Sequence, residues 1–377
     1  MTSTQGTQVG NVQPQTTAEP GAGPFIQHTQ EGSAPMYTVS NIALGSAWQI
    51  TNPLTAVPGY IRAWRLKFTA SGGVNGTETV AITPDAPYSI VQNILVTDAY
   101  GTQIITGPGY DLLKLIPKYG SQFGLGAQRD ISTLPSFVPV STGSTGTGDF
   151  QFSTILPLEF AKGIGTIGGA DNSIQPRITL TGAPSSAVYS TPPGTLPSLT
   201  VENYTDFYWL PQGSAIVPPG EGTSEQWISQ VANPTIGTGM AQPITIPRAG
   251  GYIATIILVL RDSTGARIDA WPDPIKVVVD GVPWSNCPFS QLEDNMAITF
   301  EGVTRDTGVI AFSRKTSLSQ RDEGLLDTGM TYLSTTPGTS IQIEGVWGTV
   351  ANAPATLTAY LGTVVPAGTL ITGLVEA

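Results

Sequence analysis

The chain is short of the parts that chemistry needs. Its 377 residues hold one histidine, His28, and one cysteine, Cys287. A single cysteine closes no intrachain disulfide, so packing and assembly must supply the stability. Cys287 itself reads as a small, semi-buried hydrophobe. One histidine close to the N-terminus leaves no Ser-His-Asp triad, no Cys-His pair and no histidine-based metal site in the folded body. Charge is scarce as well: 11% of residues are charged, with a formal net charge of -11 and a pI near 4.5. Proteins that neutralise phosphates carry clustered Lys and Arg, so nucleic acid is not expected as a direct partner. Long apolar runs are missing too. The most apolar, Tyr252 to Leu260, is far below the roughly 20 residues that cross a bilayer. Met1 to Gly23 lacks the basic start and apolar core of a signal peptide, so export by the general secretory route is not expected. On that reading the acceptor patterns Asn75-Gly76-Thr77 and Asn203-Tyr204-Thr205 are coincidence.

Gly (44) and Pro (31) are plentiful, which describes many short strands joined by tight turns rather than long helices. The length allows two domains. Residues 1–35 are rich in Thr, Gln, Gly and Pro without a single Lys or Arg, an N-terminal arm with Phe25 and Ile26 as anchors against a neighbour, or a plain tail. Residues 36–215 read as a first β-rich unit. Within it Trp64, Leu66 and Phe68 point one way and Arg65, Lys67 and Thr69 the other, the period of a half-buried strand. Gln122 to Gly148 and Ala183 to Pro197 read as long loops, functional or flexible. Residues 216–240 are a linker, opened by Pro218-Pro219-Gly220, in which Thr223 or Ser224 caps a brief helix carrying Trp227 and Val231. Residues 241–377 form the second unit.

Each unit carries a strand-turn-helix insert. In the first, Ile94-Leu95-Val96 leads through Asp98 to a second strand at Gln103-Ile104-Ile105. A helix with Tyr110, Leu113 and Ile116 on one stripe follows and stops at Pro117. In the second, Ile275 to Val279 leads through Asp280 to a short helical turn from Pro288 to Glu293, with strand resuming at Met296 to Phe300. Further matches recur in the same order. Gly59-Tyr60-Ile61 matches Gly251-Tyr252-Ile253, and Ser173-Ile174-Gln175 matches Ser340-Ile341-Gln342, at a spacing that shrinks along the chain. The chain therefore reads as one sandwich unit written twice, with longer loops in the first copy.

Nothing in it assembles into a reaction centre. Gly163-Ile164-Gly165-Thr166-Ile167-Gly168 fits a dinucleotide glycine pattern, but no helix follows to hold a pyrophosphate, so it reads as a glycine-rich loop. Asp262, Asp269, Asp273, Glu301, Asp306, Asp322, Glu323 and Asp327 offer carboxylates for a paired-acid mechanism, yet they sit beside turn residues and read as solvated turn acids. Arg314-Lys315 and Arg321-Asp322-Glu323 read as an exposed mixed-charge loop. The aromatic residues from Tyr204 to Trp209, with Trp284, Trp347 and Tyr360, read as sandwich core ahead of interface. No catalytic, cofactor-binding or metal-binding residue is assigned, and no cofactor is expected.

In size, tandem β-rich units, an insert in each (Ile94 to Ile116, Val277 to Glu293), a polar arm and long Gly/Ser/Thr loops, the chain resembles the double jelly-roll major capsid proteins. That lineage includes tectiviruses and the adenovirus hexon, and the length is nearest the tectivirus-like phage members. The resemblance implies an all-β fold of two tandem eight-stranded jelly rolls with short helical inserts. It further implies a homotrimer of pseudo-hexagonal outline, a virion localisation after synthesis in the host cytoplasm, and an icosahedral shell over an internal membrane. Its implied partners are other copies of itself, penton or vertex and minor capsid proteins, and that membrane. The alternative is a secreted or surface two-sandwich protein that binds or hydrolyses carbohydrate.

Overall fold

The computed structural model describes residues 29–53, 57–98, 101–120, 130–159, 165–169, 176–209, 224–232, 243–246, 251–300, 302–313, 332–336, 338–348, 352 and 356–365. Its first half runs β1 (Gln30–Ala43), β2 (Trp48–Pro53), β3 (Gly59–Ser71), β4 (Ala81–Ile82), β5 (Val91–Thr97), β6 (Gln103–Gly107), β7 (Phe150–Pro157), β8 (Ile167–Gly168), β9 (Arg177–Gly182), β10 (Tyr189–Thr191) and β11 (Ser198–Trp209). The second runs β12 (Ser224–Ala232), β13 (Ile244–Ile246), β14 (Gly251–Arg261), β15 (Ile275–Val279), β16 (Val282–Cys287), β17 (Val309–Ser313), β18 (Leu333–Thr335), β19 (Ile341–Glu344) and β20 (Thr356–Val365). Setting aside the short strands β4, β8, β10 and β18, each half has the same plan. β1-β11-β3-β7 and β2-β9-β5-β6 in the first half correspond, strand for strand, to β12-β20-β14-β17 and β13-β19-β15-β16 in the second. The two halves meet where β12 lies parallel to β6, Trp227 beside Ile105 and Ile228 beside Thr106. One nine-stranded sheet therefore runs through both.

The anchors of the sequence repeat fall on equivalent points. Gly59 and Gly251 open β3 and β14 at φ 148 and 128, a backbone state that favours glycine. Asp98 and Asp280 close β5 and β15. The Asp98 Oδ1 accepts from Thr102 N at 2.8 Å and the Asp280 Oδ1 from Ser340 N at 2.7 Å. Both third strands also slip register at the same place, between Ile61 and Ala63 against β11 and between Ile253 and Thr255 against β20. Ser173 to Gln175 lie outside the described residues, while Ile341 opens β19. A methyl at Gly59 would run into the Tyr208 carbonyl oxygen and the Trp209 backbone. Gly59→Ala is therefore expected to cost about 1–3 kcal/mol, read as a shift of the urea midpoint at unchanged slope.

The core follows the predicted alternation. Trp64, Leu66 and Phe68 are fully buried, Arg65, Lys67 and Thr69 face outward, and Phe68 stacks on Phe152 with ring centroids 4.7 Å apart. Tyr208, Trp347 and Tyr360 are core residues as expected, and so is Cys287, whereas Trp209 is 40% exposed. β14 breaks the alternation, since Ile253 to Leu260 are all buried. One face of it meets its own sandwich and the other meets the first half.

Four expectations are corrected. The arm is shorter than 35 residues on its inner side, because Gln30 to Pro35 already belong to β1 and pair with β11; His28, Phe25 and Ile26 lie outside the described residues. The linker helix is a strand instead: Ser224–Ala232 is β12, paired with β20 along its length. There Trp227 is buried and Val231 exposed, and sheet pairing on both sides outweighs an i,i+4 aromatic-aliphatic contact. The first insert helix (Asp111–Gly120) does not stop at Pro117 but winds through it as a π-helix, whose i→i+5 bonding leaves room for the ring. The second (Phe289–Thr299) runs past Glu293 and takes in Met296 to Thr299 of the predicted strand Met296 to Phe300. Its Leu292 and Met296 point into the core while Ile298 is 74% exposed. Where described, the long loops are pinned by backbone pairs, Val80 with Gly143, Val138 with Gln151 and Val74 with Thr195.

Candidate assembly site: the seam between the halves

The first insert helix joins β6 to β7 and is wedged between the halves; nearly every residue of it is buried. Thr154 of β7 fastens it from behind, its Oγ1 donating to the Leu113 carbonyl at 2.6 Å. In front stand β14, β20 and the segment before β17. Trp227 of β12 is buried against this helix at Gly120 and against Gly362 of β20, where added methyls would meet the indole. Tyr119 lies edge-on to Phe300 at the end of the second helix, with centroids 5.1 Å apart.

Charge is concentrated here. Asp306 accepts from Lys118 Nζ at 2.6 Å, pairs with Lys114 Nζ at 2.9 Å, and accepts from the hydroxyls of Tyr119 at 3.1 Å and Tyr110 at 3.3 Å. Lys118, 1% exposed, also donates to Asp130 at 2.8 Å. Next to this group, Asp111 accepts from the Tyr360 hydroxyl at 2.7 Å and from Arg261 Nη2 at 2.9 Å. Arg261 reaches on to Asp85, which also accepts from Arg267 Nε at 2.8 Å. The Arg267 guanidinium lies over the Tyr110 ring, 4.2 Å from its centroid. The first half supplies Asp85, Asp111, Lys114, Lys118 and Asp130, and the second Arg261, Arg267 and Asp306. The eight formal charges cancel, as burial demands.

The electrostatics follow from this crowding. Burial works to raise the Asp306 carboxyl, but Lys118 and Lys114 outweigh it and hold it down at about 2. Burial pushes the Asp111 carboxyl up against the pull of Arg261, and drives the Tyr110, Tyr119 and Tyr360 hydroxyls far above the usual phenol range. An acid whose folded pKa is depressed contributes stability that is complete above its unfolded pKa, near 4, and is lost as pH falls through the folded value. The wild-type protein is therefore expected to lose stability between about pH 4 and about pH 2. Over that window the Asp306→Asn variant should show a flatter dependence of thermal midpoint on pH.

Asp306 is thus no solvated turn acid, and the reason it escapes a sequence reading is distance: its lysines lie 188 residues away or further. Asp269 is likewise occupied, accepting from Nη1 and Nη2 of Arg305 at 2.8 and 2.9 Å. Asp262 closes its own turn on Thr264 and Ala266, as a turn acid should, although it is buried and also accepts from Asn352. Asp273 accepts from the Phe289 amide at the start of the second helix. Glu301, Asp322, Glu323, Asp327, Arg314, Lys315 and Arg321 lie outside the described residues. Of the glycine pattern, Ile167–Gly168 form β8 on the edge of β3. Among the described residues no cluster of three or more His, Cys, Asp or Glu is arranged to hold a metal, and no helix is long and apolar enough to cross a membrane.

No protein-family model and no curated protein matches the chain. Solved structures do. A protein of Sulfolobus Turreted Icosahedral Virus superposes with a TM-score of 0.60 at 12% identity, covering 92% of this chain and 94% of that one. The Faustovirus major capsid protein gives 0.55 at 10% identity over 95% and 92% of the two chains. The major capsid protein of bacteriophage PM2 gives 0.51 at 11% identity over 90% and 99%. The chain has the double jelly-roll fold. In this double jelly roll each half supplies one eight-stranded roll, and the charged seam is the joint between them.

Proposed function

We propose that this protein is a major capsid protein, a structural subunit that trimerises into pseudo-hexameric capsomers and tiles an icosahedral shell. The observation that carries the reading is the match of the whole double jelly roll, over nine-tenths or more of both chains, to major capsid proteins of Faustovirus and phage PM2. The seam supports it, because a wall element must transmit load between its two rolls without hinging, and a buried, charge-balanced, aromatic-packed joint resists hinging. In this reading the rolls divide within 210–223, the partners are other copies, vertex and minor capsid proteins, and the location is the virion shell after synthesis in the host cytoplasm. The protein does no chemistry and makes no direct contact with nucleic acid, in keeping with its acidic balance. The end at which β3 and β14 begin, with Tyr252 and Trp209 exposed, faces inward to an internal membrane, where amphipathic rings suit the headgroup region. Size-exclusion with light scattering on the purified protein is expected to give a stable trimer, and electron microscopy of the source particle this chain as its dominant shell component. A monomer that binds glycans would overturn the reading in favour of a carbohydrate-active sandwich.

A further inference from the structure

The two rolls meet by a specific edge contact. The open edge of β6 in the first roll is covered by β12, the first strand of the second. By the shared plan, β16 is to the second roll what β6 is to the first, and β1 is to the first what β12 is to the second. Among the described residues β16 pairs with β15 alone and β1 with β11 alone, so no described strand covers either equivalent edge. We propose that β16 of one copy receives β1 of a neighbouring copy, repeating between chains the junction that β6 and β12 make within one; this rests on the capsid reading above.

The register follows from the repeat. Glu31 lies opposite Tyr208, which lies opposite Tyr60, while Glu225 lies opposite Val364, which lies opposite Tyr252. With Tyr60 and Tyr252 equivalent, Glu31 corresponds to Glu225, Ser33 to Trp227 and Ala34 to Ile228. On the other side Thr106 pairs with Leu95, three before Asp98, and Ser285 pairs with Val277, three before Asp280. Since Ile228 sits beside Thr106, Ala34 of the neighbouring copy sits beside Ser285. Side-chain volume is exchanged across the two junctions. Within the chain a tryptophan on the incoming strand meets Ile105. Between chains Ser33 comes in at the bulge that Trp284 makes in the receiving strand.

The surroundings agree. In the first roll, the space beside the insert helix between β6 and β7 is filled by the second roll, through Trp227, Phe300, Asp306 and Tyr360. In the second roll the described residues leave in the matching space a groove of about 230 Å³ between β16, the second helix and β17, lined by Trp284, Leu292, Met296 and Phe312. The faces differ in the sense assembly requires. β14 turns Ile257 and Val259 to the seam at positions equivalent to Arg65 and Lys67 of β3. Arg65 and Lys67, paired with Asp206 and Glu202, keep side chains 54% and 39% exposed. At these positions the strand buried once on folding is apolar, and the one that meets another copy stays wettable until then. A junction of one kind repeated head to tail gives a ring when its rotation closes and a filament when it does not; the trimer of the capsid reading is the ring of six rolls from three chains.

The test is an engineered disulfide, Ala34→Cys with Ser285→Cys in a Cys287→Ser background, since neighbouring strands bring Cα atoms within bonding range. Mild oxidation of the assembled protein is expected to convert most chains into covalent dimers and trimers and nothing larger, while either single cysteine gives none. Wild-type amide exchange serves if the variant does not fold. Residues 30–35 and 282–287 should exchange at least tenfold more slowly in the assembled than in the dissociated protein. Trimers or particles without the cross-link, or with both strands exchanging as in the free chain, overturn this pairing and leave the capsid reading standing. A chain monomeric under all conditions overturns both.

Discussion

Asp306→Ala is expected to lower the stability of the isolated subunit by about 3–5 kcal/mol at neutral pH, because it takes from a buried ammonium one of its two counter-ions. The partner that suffers most is Lys118, whose side chain is 2% exposed and which keeps only Asp130. Lys114, at 16%, can turn toward water. Two hydroxyl donors, Tyr110 and Tyr119, lose their acceptor as well. Urea unfolding followed by fluorescence measures the loss. The double variant Asp306→Leu with Lys118→Met discriminates between causes. If the cost is the stranded charge, apolar replacement of both partners should recover most of it. If the seam depends on this pair for attraction, the double variant stays as weak as the single one.

Trp227→Ala is expected to cost a similar amount, about 3–5 kcal/mol, the range for deleting a fully buried aromatic side chain. The void opens where β12 meets β6, and it cannot be filled from either side. The indole faces Gly120 and Gly362, which have no side chains to relax into it. The loss should therefore be local to the joint as well as global. Hydrogen exchange under native conditions is expected to show β6 and β12 opening well before β3 and β11, which are tied by pairing along the whole length of β11. Uniform loss of protection across both rolls would instead mean that the molecule unfolds as one unit and that the joint is no weaker than the cores.

Much of the plan could be read from the amino acids. The alternation from Trp64 to Thr69, the acid that follows a strand at Asp98 and at Asp280, and the recurring Gly-Tyr-Ile placed equivalent strands in both rolls, because strand period and turn chemistry are local properties. What failed was of the opposite kind. Residues 224–232 follow a helix pattern only if β20 and β6 are ignored, and Met296 to Thr299 are β-prone only if the helix already running from Phe289 is ignored. The Tyr252 to Leu260 run carries a further signal: a strand apolar at every position but Thr255, in an otherwise alternating protein, has something against both faces. That was the trace of the seam. The salt-bridged cluster left no comparable trace, since Asp306, Lys118, Arg261 and Asp111 come from remote parts of the chain and look, singly, like ordinary surface residues.

The matching slips in β3 and β14 carry a consequence for ancestry. A slip inserts one unpaired residue and re-aims everything beyond it, so two unrelated rolls would have no reason to place it three residues after the opening glycine in both. The shared slip is what one unit joined to a copy of itself would carry into both rolls.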